Sequence, residues 1–267
     1  MEKRMKRKIF AFTFLTLYIL ITGFNCNVYG NGSGKIIVLL YHHLLKDSEN
    51  TNKGNSSVVS AENFEKQMEY LHNNGYNTIT AELLSEYLKF KKSLPKKSIL
   101  ITFDDGYKSN YEYAYPILKK YGFNASIFIV TGLIPDKPQD FDPNRLSYMS
   151  RKEIEKSKDV FEYACHTHNL HKLDSNGESV LLSSDRADII KDLRTSRQLV
   201  PTKFLSYPYG QYNKQIKDIL SEEGFELAFT VNKGAVNTRS NRLELNRVPV
   251  FYDTSIYDFK KILNSPF

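Results

Sequence analysis

Ser98-Ile-Leu-Ile-Thr-Phe-Asp-Asp-Gly106 is the stretch that decides the fold of this 267-residue chain. From Ile99 to Phe103 no charged residue breaks the run, which is the pattern of a strand buried on both faces. The run then ends in two carboxylates and a glycine. Upstream, residues 35–41 (Lys-Ile-Ile-Val-Leu-Leu-Tyr) form a second buried run, and residues 125–130 form a third downstream. Between the first two, the polar stretch 44–59 is expected to be a long surface loop. Ser60 is placed to cap a helix with Phe64, Met68 and Leu71 on one face, stopped by Gly75. A short strand at 76–79 and a helix capped by Thr80 follow. Beyond residue 106 the alternation continues, with helices ending at Gly122, capped by Ser150, and at 185–199, 214–223 and 256–263. Strands are expected at 160–164, 203–207, 227–231 and 246–250. About eight strands alternating with helices make this an α/β chain with a mostly parallel sheet, either a barrel or an open doubly wound sheet. In both, ligands sit at the carboxyl ends of the strands.

The first thirty residues read differently. Five basic residues and one acid precede or flank an apolar run from Ile9 to Phe24, and small residues follow near Gly30. This is a secretory signal pattern, short for a membrane span of about 20 apolar residues. Gly23-Phe24-Asn25 ahead of Cys26 is a poor lipidation signal. The expected organisation is a signal segment at 1–30, retained as an anchor if uncleaved, and one domain at 31–267. The product is then secreted or cell-surface associated, and membrane contact is limited to the N-terminal segment. From residue 31 onward there are 32 basic and 29 acidic residues. That balance is too even to argue for nucleic acid, and no zinc-knuckle or basic motif supports such a partner. Cys165 has no disulfide partner in the processed chain, so stability rests on a core. The 18 Tyr and 17 Phe with no Trp leave room for tyrosine-rich loops that suit flat hydroxylated ligands such as sugars. Nothing in the chain suggests an oligomer, and a monomer is expected.

Three of the strands run directly into groups able to do chemistry. Phe103 is followed by Asp104-Asp105-Gly106, residues 164–165 by His166-Thr-His-Asn-Leu-His171, and Tyr41 by His42-His43. Five of the six histidines lie at two of these three points. Carboxylates beside imidazoles at the mouth of an α/β sheet suit a hydrolytic site built on a divalent, zinc-like ion with a position open to water. The second carboxylate of the pair is then free to act as a general base. Asp-Asp-Gly alone is also a common turn, and a single histidine is more often a hydrogen-bonded loop residue. Three histidines within six residues, joined with the other two strand ends, favour the functional reading.

Thr102-Phe-Asp-Asp-Gly106, with 111–122 and Ala125-Ser-Ile-Phe128 behind it, resembles the first motif of the NodB-homology polysaccharide deacetylases, carbohydrate esterase family 4. His166-Thr-His-Asn-Leu-His171 is similar to the family's metal-binding motif and Ser206-Tyr-Pro-Tyr-Gly210 to its third, over roughly residues 36–265. Two departures point to one subgroup. The histidines stand five apart rather than four, and none follows His171 to supply the usual C-terminal general acid. The biofilm poly-β-1,6-N-acetylglucosamine deacetylases of the intercellular-adhesin type show that spacing, and their permuted barrel brings the histidine in on the first strand, as Tyr41-His42 does here. A third departure is Ser206, where the family usually has an arginine paired with the base aspartate; Arg247 is a candidate for that task.

The resemblance implies an irregular (β/α) barrel of seven or eight strands that removes N-acetyl groups from a matrix or cell-surface polysaccharide. It implies that Asp105, His166 and His171 bind one divalent ion, zinc first and cobalt, nickel or iron as alternatives. Asp104 is then the general base, His42 the general acid, and the backbone N–H of Tyr209 part of the oxyanion site. His168 competes with His166 for the metal, and His43 is expected to face away from His42. Two rivals remain: a deacetylase of β-1,4 chains such as peptidoglycan or chitin oligomers, and a secreted carbohydrate-binding protein with an inactive site. A serine esterase fails for want of a Gly-x-Ser-x-Gly elbow.

Overall fold

The computed structural model describes residues 34–51 and 54–267; the expected signal segment lies outside them. Ten strands are described: β1 (Ile37–Tyr41), β2 (His43–Leu45), β3 (Val58–Ser60), β4 (Asn77–Thr78), β5 (Ser98–Phe103), β6 (Ala125–Ile129), β7 (Phe161–Cys165), β8 (Phe204–Ser206), β9 (Leu227–Lys233) and β10 (Leu245–Pro249). β1 pairs in parallel with β5 on one side and β10 on the other, so β1, β5, β6, β7, β8, β9 and β10 close into a seven-stranded parallel barrel. β4 and β6 share one edge of β5: Asn77 pairs with Ser98 at its start and Thr102 with Ser126 near its end. The eighth expected strand is therefore an appendage outside the ring.

Period-2 alternation sorts the barrel residues into two packed sets. Leu39, Tyr41, Ile99, Ile101 and Phe103 pack outward against Phe64 and Met68 of helix α1 (Ala61–Asn73). Val38, Leu100, Phe128, Phe204, Phe229 and Leu245 form the other set, joined by Leu84 and Tyr87 of α2 (Ala81–Phe90). Around the second half of the ring, Cys165, Leu205 and Ala228 meet α6 (Arg186–Leu199) and α7 (Lys214–Glu222). The helices α3 (Tyr115–Tyr121), α4 (Arg151–Lys156), α5 (Val180–Ser183) and α8 (Ile256–Leu263) complete the outer layer.

The helix starts follow local chemistry. Ser60, Thr80, Asn213 and Ser255 each accept a hydrogen bond from a first-turn N–H, and Ser150 with Glu153 forms a reciprocal capping box. The stretch 44–59 departs from expectation. Its apolar ends, Leu44-Leu45 and Val58-Val59, are buried and pair as β2 and β3 in a separate two-stranded parallel sheet. The polar residues between them mask that signal when the segment is read as a whole. The helix after β5 opens with a π-turn at Asn110–Ala114, and α5 interrupts what reads as loop. Among the described residues no helix is long and apolar enough to cross a membrane.

Phe64 is fully buried, with its ring edge-on to Tyr41 at 5.2 Å. Replacing it with Ala should cost about 3–5 kcal/mol of unfolding free energy. Phe90→Ala, at a side chain 72% exposed, should stay within about 0.5 kcal/mol of the parent. Urea titration of the two variants checks both values.

Candidate active site

The carboxyl end of the barrel is held in uncommon backbone conformations. Among the described residues five non-glycine positions have positive φ, and three lie just beyond strands: Asp105 (73°) after β5, Thr167 (69°) after β7 and Tyr209 (57°) after β8. Such residues cost of order 1–3 kcal/mol each and persist where the surroundings over-determine them. At Asp105 the next residue is Gly106, also at positive φ (76°), where an added Cβ would come within 3.0 Å of Ile129. The Asp104 N–H donates to the Tyr41 carbonyl at 3.0 Å, continuing the β1–β5 ladder one residue past the strand. The chain then turns at Asp105, and the two adjacent carboxylates take different partners although both lie within 4 Å of His166 Nε2.

Asp104 enters the barrel. Arg247 of β10, itself fully buried, donates from both terminal nitrogens to the two Asp104 oxygens at 2.8 and 2.7 Å. Ser206 Oγ donates to Asp104 Oδ2 at 2.9 Å and also accepts from Arg247 at 2.8 Å. The guanidinium is aimed by its Nε–H, which donates to the Thr230 carbonyl at 2.8 Å. Burial alone would raise the Asp104 pKa, but the charge and hydrogen bonds of Arg247, with His166 and His42 adding, hold it well below the usual carboxylate range. The residue in the family's arginine slot, Ser206, thus shares with Arg247 the task of holding Asp104.

Asp105 faces two imidazoles, one of which, His166, also has its Nε2 3.9 Å from Asp104 Oδ2. Its Oδ1 lies 3.5 Å from His166 Nε2 and 3.3 Å from His171 Nε2. One ligand atom from each of the three residues fits within 4.8 Å. His166 Nδ1 is 2.7 Å from the Ser206 carbonyl, which assigns the proton to Nδ1 and turns the Nε2 lone pair inward. Burial would lower the His166 pKa, yet the Asp104 and Asp105 carboxylates raise it overall. His171 is pushed down to about 4 by burial and by His166. One carboxylate and two imidazoles converging at a part-buried point fit a zinc-like divalent ion. His168 is not brought there; its Nδ1 lies 3.0 Å from Thr131 Oγ1.

These groups line a cavity of about 270 Å³ together with His42, His43, Tyr107, Tyr207 and Tyr209. His42 is drawn in two directions: burial lowers its pKa, while Asp104 and Asp105 oppose that shift. His43 does not face away as expected. β1 stops at Tyr41 and β2 starts at His43, so the alternation breaks at His42 and both histidines reach the cavity. The Nδ1 of His43 is 2.6 Å from Ser109 Oγ, and burial lowers its pKa to about 4. The Tyr209 ring packs on His171 at a 33° tilt with centroids 4.5 Å apart and is 41% exposed at the rim. A larger cavity of about 610 Å³, lined by Ile36, Tyr76, Tyr87 and Leu94, lies at the amino-terminal ends of β1 and β5. It holds no carboxylate or imidazole and sits at the wrong end of the strands for catalysis.

Comparison with known proteins places the fold and the family. The polysaccharide deacetylase family profile matches residues 91–228. Over 205 residues the chain is 34% identical to the poly-β-1,6-N-acetyl-D-glucosamine N-deacetylase of Staphylococcus aureus (strain MSSA476), covering 73% of this chain and 68% of the relative. The structure of IcaB from Ammonifex degensii superposes with a TM-score of 0.72 at 26% identity, over 86% of this chain and 96% of that one. The Streptococcus pyogenes deacetylase PplD, solved with acetate, shares the fold with a TM-score of 0.74 at 24% identity, over 86% and 98% of the two chains. With fold, motif order and sequence in agreement, the chain belongs to the polysaccharide deacetylase family.

Proposed function

We propose that this deacetylase removes N-acetyl groups from N-acetylglucosamine units of an extracellular polysaccharide, and that the polymer is poly-β-1,6-N-acetylglucosamine. The observation that carries the chemistry is the different partnering of Asp104 and Asp105: both oxygens of the first are locked to Arg247, with His166 Nε2 3.9 Å away, while the second lies closer to two imidazole nitrogens. The preference for β-1,6 linkage rests on the five-residue histidine spacing and on the 34% identical S. aureus relative. Export through the N-terminal segment would put the enzyme where such a polymer lies.

Asp105, His166 and His171 would hold the divalent ion. When bound, such an ion polarises the acetyl carbonyl and makes water more acidic. Asp104 accepts the proton of the attacking water, and Arg247 keeps it ionised and aimed for that task. As the water oxygen bonds to the acetyl carbon, negative charge grows on the carbonyl oxygen. The Tyr209 N–H is assigned to it. His42 donates a proton to the sugar nitrogen as the C–N bond breaks. Burial lowers the His42 pKa on balance, against the opposing pull of Asp104 and Asp105, which makes its protonated form a readier donor. Acetate and a free amine leave, and the proton left on Asp104 returns His42 to its starting state through solvent.

Asp104→Asn should bind zinc like the parent and lose about 10²–10⁴-fold in kcat; full activity in this variant would refute the base assignment. Asp105→Ala and His171→Ala should lose zinc in equilibrium dialysis. Arg247→Met leaves a buried carboxylate unpaired and should cost about 3–5 kcal/mol, read from chemical unfolding. The acid side of the stability profile follows from Asp104. Its folded pKa is depressed, so its contribution is complete above its unfolded value near ~3.9 and fades as pH falls through the folded one. Arg247→Met should flatten that acid limb. The substrate is tested by acetate release from matched β-1,6 and β-1,4 N-acetylglucosamine oligomers: release favouring β-1,6 supports the proposal, and preference for β-1,4 moves the substrate to peptidoglycan-like or chitin-like chains.

A further inference from the structure

His166 and His171 stand five residues apart, and a helix cannot make that spacing converge. At about 100° per residue, five positions turn a side chain about 140° away from its partner. The two rings nevertheless lie with centroids 4.5 Å apart, because the chain leaves β7 through Thr167 at φ 69° and crosses as irregular loop. Loop backbone of this kind loses the internal hydrogen bonds a helix would supply, and its N–H groups need another acceptor.

That acceptor is Asp192, on the inward face of α6 and 8% exposed. Its Oδ1 accepts the His168 N–H at 2.7 Å and its Oδ2 the Asn169 N–H at 2.6 Å. Among the described residues no lysine or arginine forms an ion pair with it. A buried carboxylate without a cation is costly unless hydrogen-bonded, so its position calls for an explanation. The opposite side of the loop is held by the turn after β6. The Thr131 N–H donates to the Thr167 carbonyl at 3.1 Å and the Gly132 N–H to the His168 carbonyl at 3.0 Å. Gly132 is needed for that approach: a Cβ there would lie 2.3 Å from Asn169 Oδ1 and 2.4 Å from the His168 carbonyl. The main chain of residues 167–169 is thus held by the Asp192 carboxylate on one side and by the Thr131 and Gly132 N–H groups on the other, with residue 168 held from both, and the histidines on either side of this segment are the two that face Asp105.

The geometry points to Asp192 as a positioning residue: it sets the path of the loop, and so the distance between the two imidazoles that would hold the ion. The same clamp turns His168 to Thr131 and away from that centre. This assignment rests on the metal reading given above. It concerns backbone support two residues from the proposed ligands, and Asp192 itself touches neither ion nor substrate.

The test compares zinc affinity in the full-length chain, stripped with a chelator and titrated in competition with a chromogenic chelator. Asp192→Ala should bind zinc about 10–100-fold more weakly, the range seen when support around metal ligands is removed. Its cobalt form should show altered visible absorption bands. Asp192→Asn keeps the shape but presents an NH₂ to a backbone N–H, and should weaken binding in the same direction. It decides the matter if the alanine variant does not fold. His168→Ala keeps the backbone N–H and should leave affinity unchanged. Wild-type zinc affinity and cobalt spectrum in a folded Asp192→Ala or Asp192→Asn would overturn the assignment alone. A wild-type chain that binds no divalent ion would overturn the metal reading and this assignment with it.

Discussion

A guanidinium buried inside the barrel carries the organisation of this site. Arg247 has no solvent contact, and the cost of burying its charge is offset because both Asp104 oxygens accept from it, with Ser206 and Thr230 taking further donors. A buried pair of this kind is weak evidence for stability by itself, since desolvation cancels much of the attraction. Its consequence is chemical. Asp104 stays ionised and oriented in a place where an isolated carboxylate would take up a proton, and the barrel tolerates the pair because β5, β8, β9 and β10 deliver all the partners to one level.

The second constraint is geometric. Two neighbouring residues with different tasks need different partners, and an L-residue at φ 73° followed by a glycine at the end of β5 leaves Asp104 on Arg247 and Asp105 between two imidazoles. Similar left-handed residues after β7 and β8 bring His166 and Tyr209 to the same mouth. The strain at these points is held by the ring of parallel strands beneath, packed on both faces. Fold stability and site geometry are therefore linked: loosening the packing under β5 should relax the turn that separates the two carboxylates.

Much of this could be read from the residues in order. Buried strands announce themselves as unbroken apolar runs, so β1, β5 and β6 were legible, and the groups following the strands marked the mouth. What local pattern could not supply was pairing across the chain. Arg247 stands 143 residues from Asp104, and on its strand it is the one charged residue, enough to name it as a candidate and no more. The short β2–β3 sheet was hidden because two-residue apolar ends carry little weight in a long polar stretch. Alternation would turn His43 away only if β1 ran on past Tyr41, and the strand ends there. Asp192 gave no local signal, since a charged residue in a helix is ordinary until the loop packed against it is known.

Adjacent carboxylates with separate roles, one toward a bound ion and one toward water, are the centre of the proposed chemistry. Anomalous diffraction at the zinc edge, from crystals of the zinc-loaded protein, tests this most directly. The account predicts one strong peak at bonding distance, about 2.0–2.2 Å, from Asp105 Oδ1, His166 Nε2 and His171 Nε2, with Asp104 still paired to Arg247. A peak bonded to Asp104 or His168 in place of these groups would contradict it.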